Sequence, residues 1–238
     1  MGGKSRIAKY ILPLILKDRR PDQWYVEPFC GGCNTLAKVP GPRIGADINS
    51  DLIAMWRALQ NGWEPPKYVT EEEYRRIEKF GSPELRGYVG FAFSFGAQYF
   101  GVFAREVRGK KYTKGERKGN YEALKIRGEE SFRGFKKDRK YLNGVGFYNC
   151  SFKDLPLPPE SVVYCDPPYL GTVSYGEKFN HSYFWDWVRA QSQKHKIFVS
   201  EYQAPKDFKV VWEKEIKIYS AVHAHGMGKA IERLFTLK

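Results

Sequence analysis

Apolar residues at Ile7, Ile11, Leu12 and Ile15 recur at helical spacing and predict a helix over residues 5–17. The run Trp24-Tyr25-Val26-Glu27-Pro28-Phe29 reads as a short strand entering a turn at Gly31-Gly32. Residues 34–38 open a helix that Pro40-Gly41-Pro42 stops, residues 43–47 form a second strand, and Asn49-Ser50-Asp51 caps a helix over 51–61. Strands alternating with helices imply a parallel sheet covered on both faces.

From about residue 62 to 146 this alternation fades. Thr70 followed by Glu73 is a capping box at a helix start. The uncharged run 87–104 nears membrane-span length, but Gly87, Gly90, Ser94, Gly96, Gln98 and Gly101 interrupt it, so a buried or DNA-facing helix is the better reading. Strand signals return at 146–150 and 161–165, then a helix at 185–193 and strands at 196–200, 208–212, 215–219 and 233–237. The chain shows no internal repeat and no low-complexity tract.

Its 238 residues allow one large domain, or one domain carrying an insert. With 42% hydrophobic and 28% charged residues, the composition excludes disordered, collagen-like and membrane chains. The formal charge of +13 attracts phosphate backbones or anionic surfaces and makes nucleic acid the leading partner. Residues 105–141 hold fourteen Lys and Arg against six Asp and Glu, interleaved with Tyr112, Tyr121, Phe132, Phe135 and Tyr141. Basic groups for phosphates beside aromatic rings for bases suit that partner. Four cysteines are too few for a disulfide scaffold and point to a reducing, cytoplasmic setting. The basic amino terminus and the apolar residues 10–16 mimic a signal peptide, but Pro13 and Lys17-Asp18-Arg19-Arg20 speak against one. Arg6 stands where N-myristoylation needs Ser or Thr.

The sharpest chemical signal is Asp166-Pro167-Pro168-Tyr169, directly after a β-branched strand. In open α/β sheets ligands bind beyond the carboxyl ends of the strands. Consecutive prolines lack N–H donors and leave nearby carbonyls free to accept. Asp166 adds a carboxylate acceptor and Tyr169 a flat face, a set that suits an exocyclic amine on a planar ring. Cys30 and Cys33 have no second cysteine pair at ligand spacing, and His223 and His225 have no third ligand nearby, so no metal is expected. Gly3-Lys4-Ser5 lacks the upstream glycine and strand of a phosphate loop.

Taken in order, Gly2-Gly3-Lys4, Glu27-Pro28-Phe29-Cys30-Gly31-Gly32, Ala46-Asp47-Ile48-Asn49, a central insert and Asp166-Pro167-Pro168-Tyr169 resemble the Dam-like (D12 class) DNA adenine-N6 methyltransferases. The resemblance implies an α/β fold: a Rossmann-like S-adenosylmethionine-dependent methyltransferase sheet with helices on both faces, over residues 1–61 and 146–238. A small, mainly helical, basic target-recognition insert would occupy 62–145. It implies S-adenosylmethionine at Gly3, Lys4, Glu27, Pro28, Phe29, Cys30, Gly31, Gly32, Asp47, Ile48, Phe152, Asp154 and Asp166, with Asp47 on the ribose hydroxyls or polar groups near them. Asp166, Pro167, Pro168 and Tyr169 would be catalytic. The substrate would be double-stranded DNA, with the adenine flipped out and stacked on Tyr169, and Arg105, Arg108, Lys110, Lys111 and Tyr112 are candidates for DNA contact. A cognate restriction endonuclease is a further partner left open. The chain departs from the family pattern at Cys33, where a glycine is common, and at Glu201, where Asn often follows Ser. Methylation of RNA or of another nucleobase amine, and a non-catalytic nucleic-acid-binding role, stay open as alternatives.

Overall fold

The computed structural model describes residues 4–94, 98–104, 141–170, 179–218 and 228–238. The chain divides into two units, residues 4–46 with 150–238, and residues 1–3 with 47–149.

In the first unit, β1 (Tyr25–Glu27), β2 (Arg43–Asp47), β4 (Val162–Cys165), β5 (Lys196–Glu201), β6 (Phe208–Ile218) and β7 (Gly228–Leu237) run in the order β2-β1-β4-β5-β7-β6. β2, β1, β4 and β5 are mutually parallel, as expected; β7 is antiparallel to both β5 and β6. Every residue of β1 and β4 is buried, without the alternation of a sheet that faces water on one side. The core gathers Val26, Val163, Cys165, Val199 and Phe235 from the strands with Phe152, Phe184, Trp185 and Trp187.

Two strands were expected at 208–212 and 215–219, but β6 is continuous and carries a bulge between Val210 and Trp212. β7 supplies the whole ladder, so the charged Glu213-Lys214-Glu215 stretch does not break an edge strand. The first helix is shorter than expected: α1 spans Ala8–Ile15, after a 3-10 turn at Lys4–Arg6, and buries Ala8, Ile11, Leu12 and Ile15. Residues 34–38 make only a 3-10 turn at Leu36–Lys38. The helix expected at 185 begins at His181, because the Asn180 side chain accepts from Tyr183 N–H at 3.0 Å and caps it there.

The second unit holds α2 (Ser50–Gln60), α3 (Glu71–Phe80), α4 (Pro83–Ala92) and β3 (Val145–Asn149). Asn49 caps α2 through Leu52 N–H at 3.0 Å, and the capping box of Thr70 and Glu73 is present on α3. A Cβ at Gly87 would lie 2.1 Å from the Asp51 carbonyl oxygen, so α4 approaches α2 as closely as only glycine permits. The uncharged run is helical only to Ala92; Ser94 then bridges antiparallel to Phe103. Gln60 donates to the Leu142 and Val145 carbonyls at 2.7 and 3.0 Å, tying β3 to α2. No helix among the described residues is long and apolar enough to cross a membrane.

Candidate active site

β4 delivers Asp166 and Pro167 to the carboxyl end of the parallel strands, where open α/β sheets place their ligands. Lys4 Nζ lies 3.0 Å from Asp166 Oδ1 and 3.0 Å from Glu232 Oε1, and donates to the Tyr169 hydroxyl at 2.5 Å. The Tyr169 hydroxyl in turn donates to Glu232. Burial works against the Lys4 ammonium, but Asp166 and Glu232 outweigh it and hold its pKa above the ordinary value. Burial raises the Asp166 pKa, with Lys4 pulling the other way.

Tyr169, expected to supply a flat face, is largely enclosed. Its ring is 9% exposed and meets Tyr202 edge-on at 4.7 Å, because the hydroxyl is drawn inward to Lys4 and Glu232. Pro167 is buried and Pro168 exposed. Glu201, at the end of β5, accepts from Leu170 N–H at 2.8 Å and Tyr202 N–H at 2.6 Å. The departure from the family pattern at this position thus braces the turn that follows Tyr169.

On β1, Glu27 is 2% exposed and accepts from the Tyr25 hydroxyl at 2.8 Å. Burial, opposed by hydrogen bonds from Thr35 and Tyr25, pushes its carboxyl from 4.5 up to about 8. The folded state therefore holds this proton more tightly than the unfolded chain. Its stabilising effect is fully present below about pH 4.5 and is lost as the pH rises through about 8. Glu27→Gln keeps the shape without the charge, and we expect its unfolding temperature to gain on the parent's as pH rises from about 5 to about 9. Parallel curves for the two proteins over that range would assign the pH dependence to another group.

Past Glu27, Pro28 is buried and Phe29 half-buried, 5.4 Å from the buried ring of Phe152. Cys30 N–H donates to the Ala46 carbonyl at 2.8 Å and seats the turn on β2. Gly31 and Gly32 are partly exposed; Gly31 takes φ +44° and Cys33 φ +52°. Cys33 thus adopts the left-handed backbone usually left to glycine, and its N–H closes the turn on the Cys30 carbonyl at 2.7 Å. All four cysteines are thiols. Asp154 is exposed.

In the second unit, Asp47 accepts from Asn49 N–H at 2.9 Å, and the Asn149 side chain donates to the Asp47 and Ile48 carbonyls at 3.0 Å each. Ile48 is 77% exposed. Gly3, Arg105, Arg108, Lys110, Lys111, Tyr112, His223 and His225 lie outside the described residues.

The structure thus brings Lys4, Asp166 and Tyr169 together and adds Glu232 and Tyr202, which sequence reasoning missed. Nothing local in the sequence reveals Glu232. It shares the inward strand face with Leu234, between the exposed Ile231 and the half-buried Arg233, and a carboxylate at an inward position needs a partner.

The chain is similar in outline to three solved structures. The rRNA methyltransferase aviRa from Streptomyces viridochromogenes is 12% identical over 98% of this chain and 84% of its own, with a TM-score of 0.43. For the methylase HI0767 from Haemophilus influenzae the figures are 10%, 98%, 98% and 0.38. For SMU.472, a methyltransferase complexed with SAH, they are 12%, 99%, 52% and 0.35. Over residues 1–88 the chain matches the family model described as D12 class N6 adenine-specific DNA methyltransferase, the family its motifs resemble, and it is accordingly a methyltransferase that takes its methyl group from S-adenosylmethionine.

Proposed function

We propose that this methyltransferase acts on N6 of adenine in double-stranded DNA. The observation that carries the reading is the acceptor set at the end of β4: the Asp166 carboxylate, held by Lys4, directly before two prolines that offer carbonyls and no donors. The D12 match over residues 1–88 supports adenine in DNA as the acceptor, and the net charge of +13 suits a polyanion.

The donor-binding residues fit this chemistry. Gly31 and Gly32 present accessible backbone for close approach, the Asp47 carboxylate can accept from a diol, and the exposed Ile48 offers an apolar surface to a ring. When bound, S-adenosylmethionine supplies an electrophilic methyl group on a sulfonium sulfur. The adenine N6 lone pair is delocalised into the ring. Hydrogen bonds accepted by Asp166 and the Pro167 carbonyl draw the amine toward tetrahedral geometry. They strengthen as positive charge develops on nitrogen, so they favour the transition state over the ground state. An amine that has gained a methyl group must then lose a proton. Asp166, with its pKa raised by burial, is placed to accept it. N6 is paired in a duplex, so the base must leave the stack. Residues 62–145 are the segment we assign to target recognition.

Incubation with isotopically labelled S-adenosylmethionine and mixed genomic DNA, followed by digestion and nucleoside mass spectrometry, tests the reading. Label in N6-methyldeoxyadenosine is the expected result. No label in any DNA base, with tight DNA binding retained, overturns it.

A further inference from the structure

Glu232 enters this cluster from β7, and the chemistry above gives it no task. It is 2% exposed, its Oε1 lies 3.0 Å from Lys4 Nζ, and it accepts from the Tyr169 hydroxyl. A buried acidic side chain costs stability unless it is paired, and apolar residues of similar size often serve a core better. Its neighbours show what the pairing achieves. A lysine ammonium has three N–H donors, and Lys4 has three oxygen partners: Asp166, Glu232 and the Tyr169 hydroxyl. With all three engaged, the ammonium is held in one position and holds the Asp166 carboxylate in turn. Glu232 also holds the Tyr169 hydroxyl, and so fixes the turn on both sides of Pro167 and Pro168.

We propose that Glu232 is a positioning residue for methyl transfer: it anchors the Lys4 ammonium and the Tyr169 hydroxyl, and through them fixes Asp166 and the Pro167 carbonyl against the acceptor amine. The inference rests on the reading of Asp166 as the ligand of that amine. Glu232 itself touches neither the acceptor nor the methyl donor. Its loss therefore slows the chemical step and leaves donor binding intact.

The test compares Glu232→Gln, Glu232→Asp, Lys4→Met and the double variant Lys4→Met/Glu232→Gln. Methyl transfer is followed with labelled S-adenosylmethionine, and donor affinity by calorimetry. Glu232→Gln is expected to lower kcat by about 10- to 100-fold, the scale of an acceptor displaced by about 1 Å, with unchanged donor affinity. Glu232→Asp should recover part of the loss. The double variant should be no slower than Lys4→Met alone, because the two residues act in series. Unchanged kcat in Glu232→Gln, losses that multiply in the double variant, or donor affinity falling as far as kcat would each overturn the proposal. If Glu232→Gln fails to fold, Glu232→Asp carries the same comparison. Wild-type protein that labels RNA and leaves DNA unmarked overturns the substrate reading alone, and the coupling between Lys4 and Glu232 is then measured on RNA.

Discussion

Asp166→Ala is expected to lower kcat for methyl transfer by about 10²- to 10³-fold or more, the scale seen when one preorganised group facing developing charge is removed. The variant should still bind S-adenosylmethionine. Lys4 keeps Glu232 and the Tyr169 hydroxyl as partners, so the substitution does not strand a buried ammonium, and the fold should survive it. Steady-state transfer of a labelled methyl group, read beside calorimetric donor affinity, separates the two effects. Loss of donor binding together with activity would make Asp166 a donor ligand or a structural residue. Near-normal transfer would remove it from the chemistry.

Phe184→Ala should produce the largest change in stability. Phe184 is fully buried on α5 (His181–Gln191), with ring centroids 5.7 Å from Phe29, 5.6 Å from Phe152, 5.5 Å from Phe179 and 5.3 Å from Trp185. Emptying such a position costs about 3–5 kcal/mol, a large part of the 5–15 kcal/mol that holds an ordinary domain folded. For a chain of this size the melting temperature should fall by about 10 °C. The cavity would lie against Phe29, which leads into the Gly31-Gly32 turn, so donor affinity should weaken as well. Denaturant midpoints measure the first effect and calorimetric titration the second. A stability loss below about 1 kcal/mol would mean that the aromatic cluster closes over the gap.

Much of this arrangement can be read from local sequence. β2, the capping box of α3 and the strand before Asp166 each announce themselves within a few residues, because capping, turn chemistry and continuous β-branched runs are short-range effects. Asp166-Pro167-Pro168-Tyr169 is four consecutive residues, so it too is visible in one dimension. What escaped was set by pairing across the chain. Charged residues along 213–215 look like a strand break until β7 is seen to complete their ladder. Glu232 looks like one more charge in a strand until Lys4 is set beside it. Nothing near Tyr169 in sequence shows that its hydroxyl is held from within.

The contact between Lys4 and Glu232 joins positions near opposite ends of the sequence, through a strand wedged between β5 and β6. Loop-closure entropy makes such pairings slow to form, and the antiparallel strands must be in register before Glu232 points inward. The Lys4–Glu232 contact therefore depends on the antiparallel part of the sheet being in place. Until β7 has paired with β5, Asp166 stands without the Lys4–Glu232 contact, so that contact marks completion of the sheet.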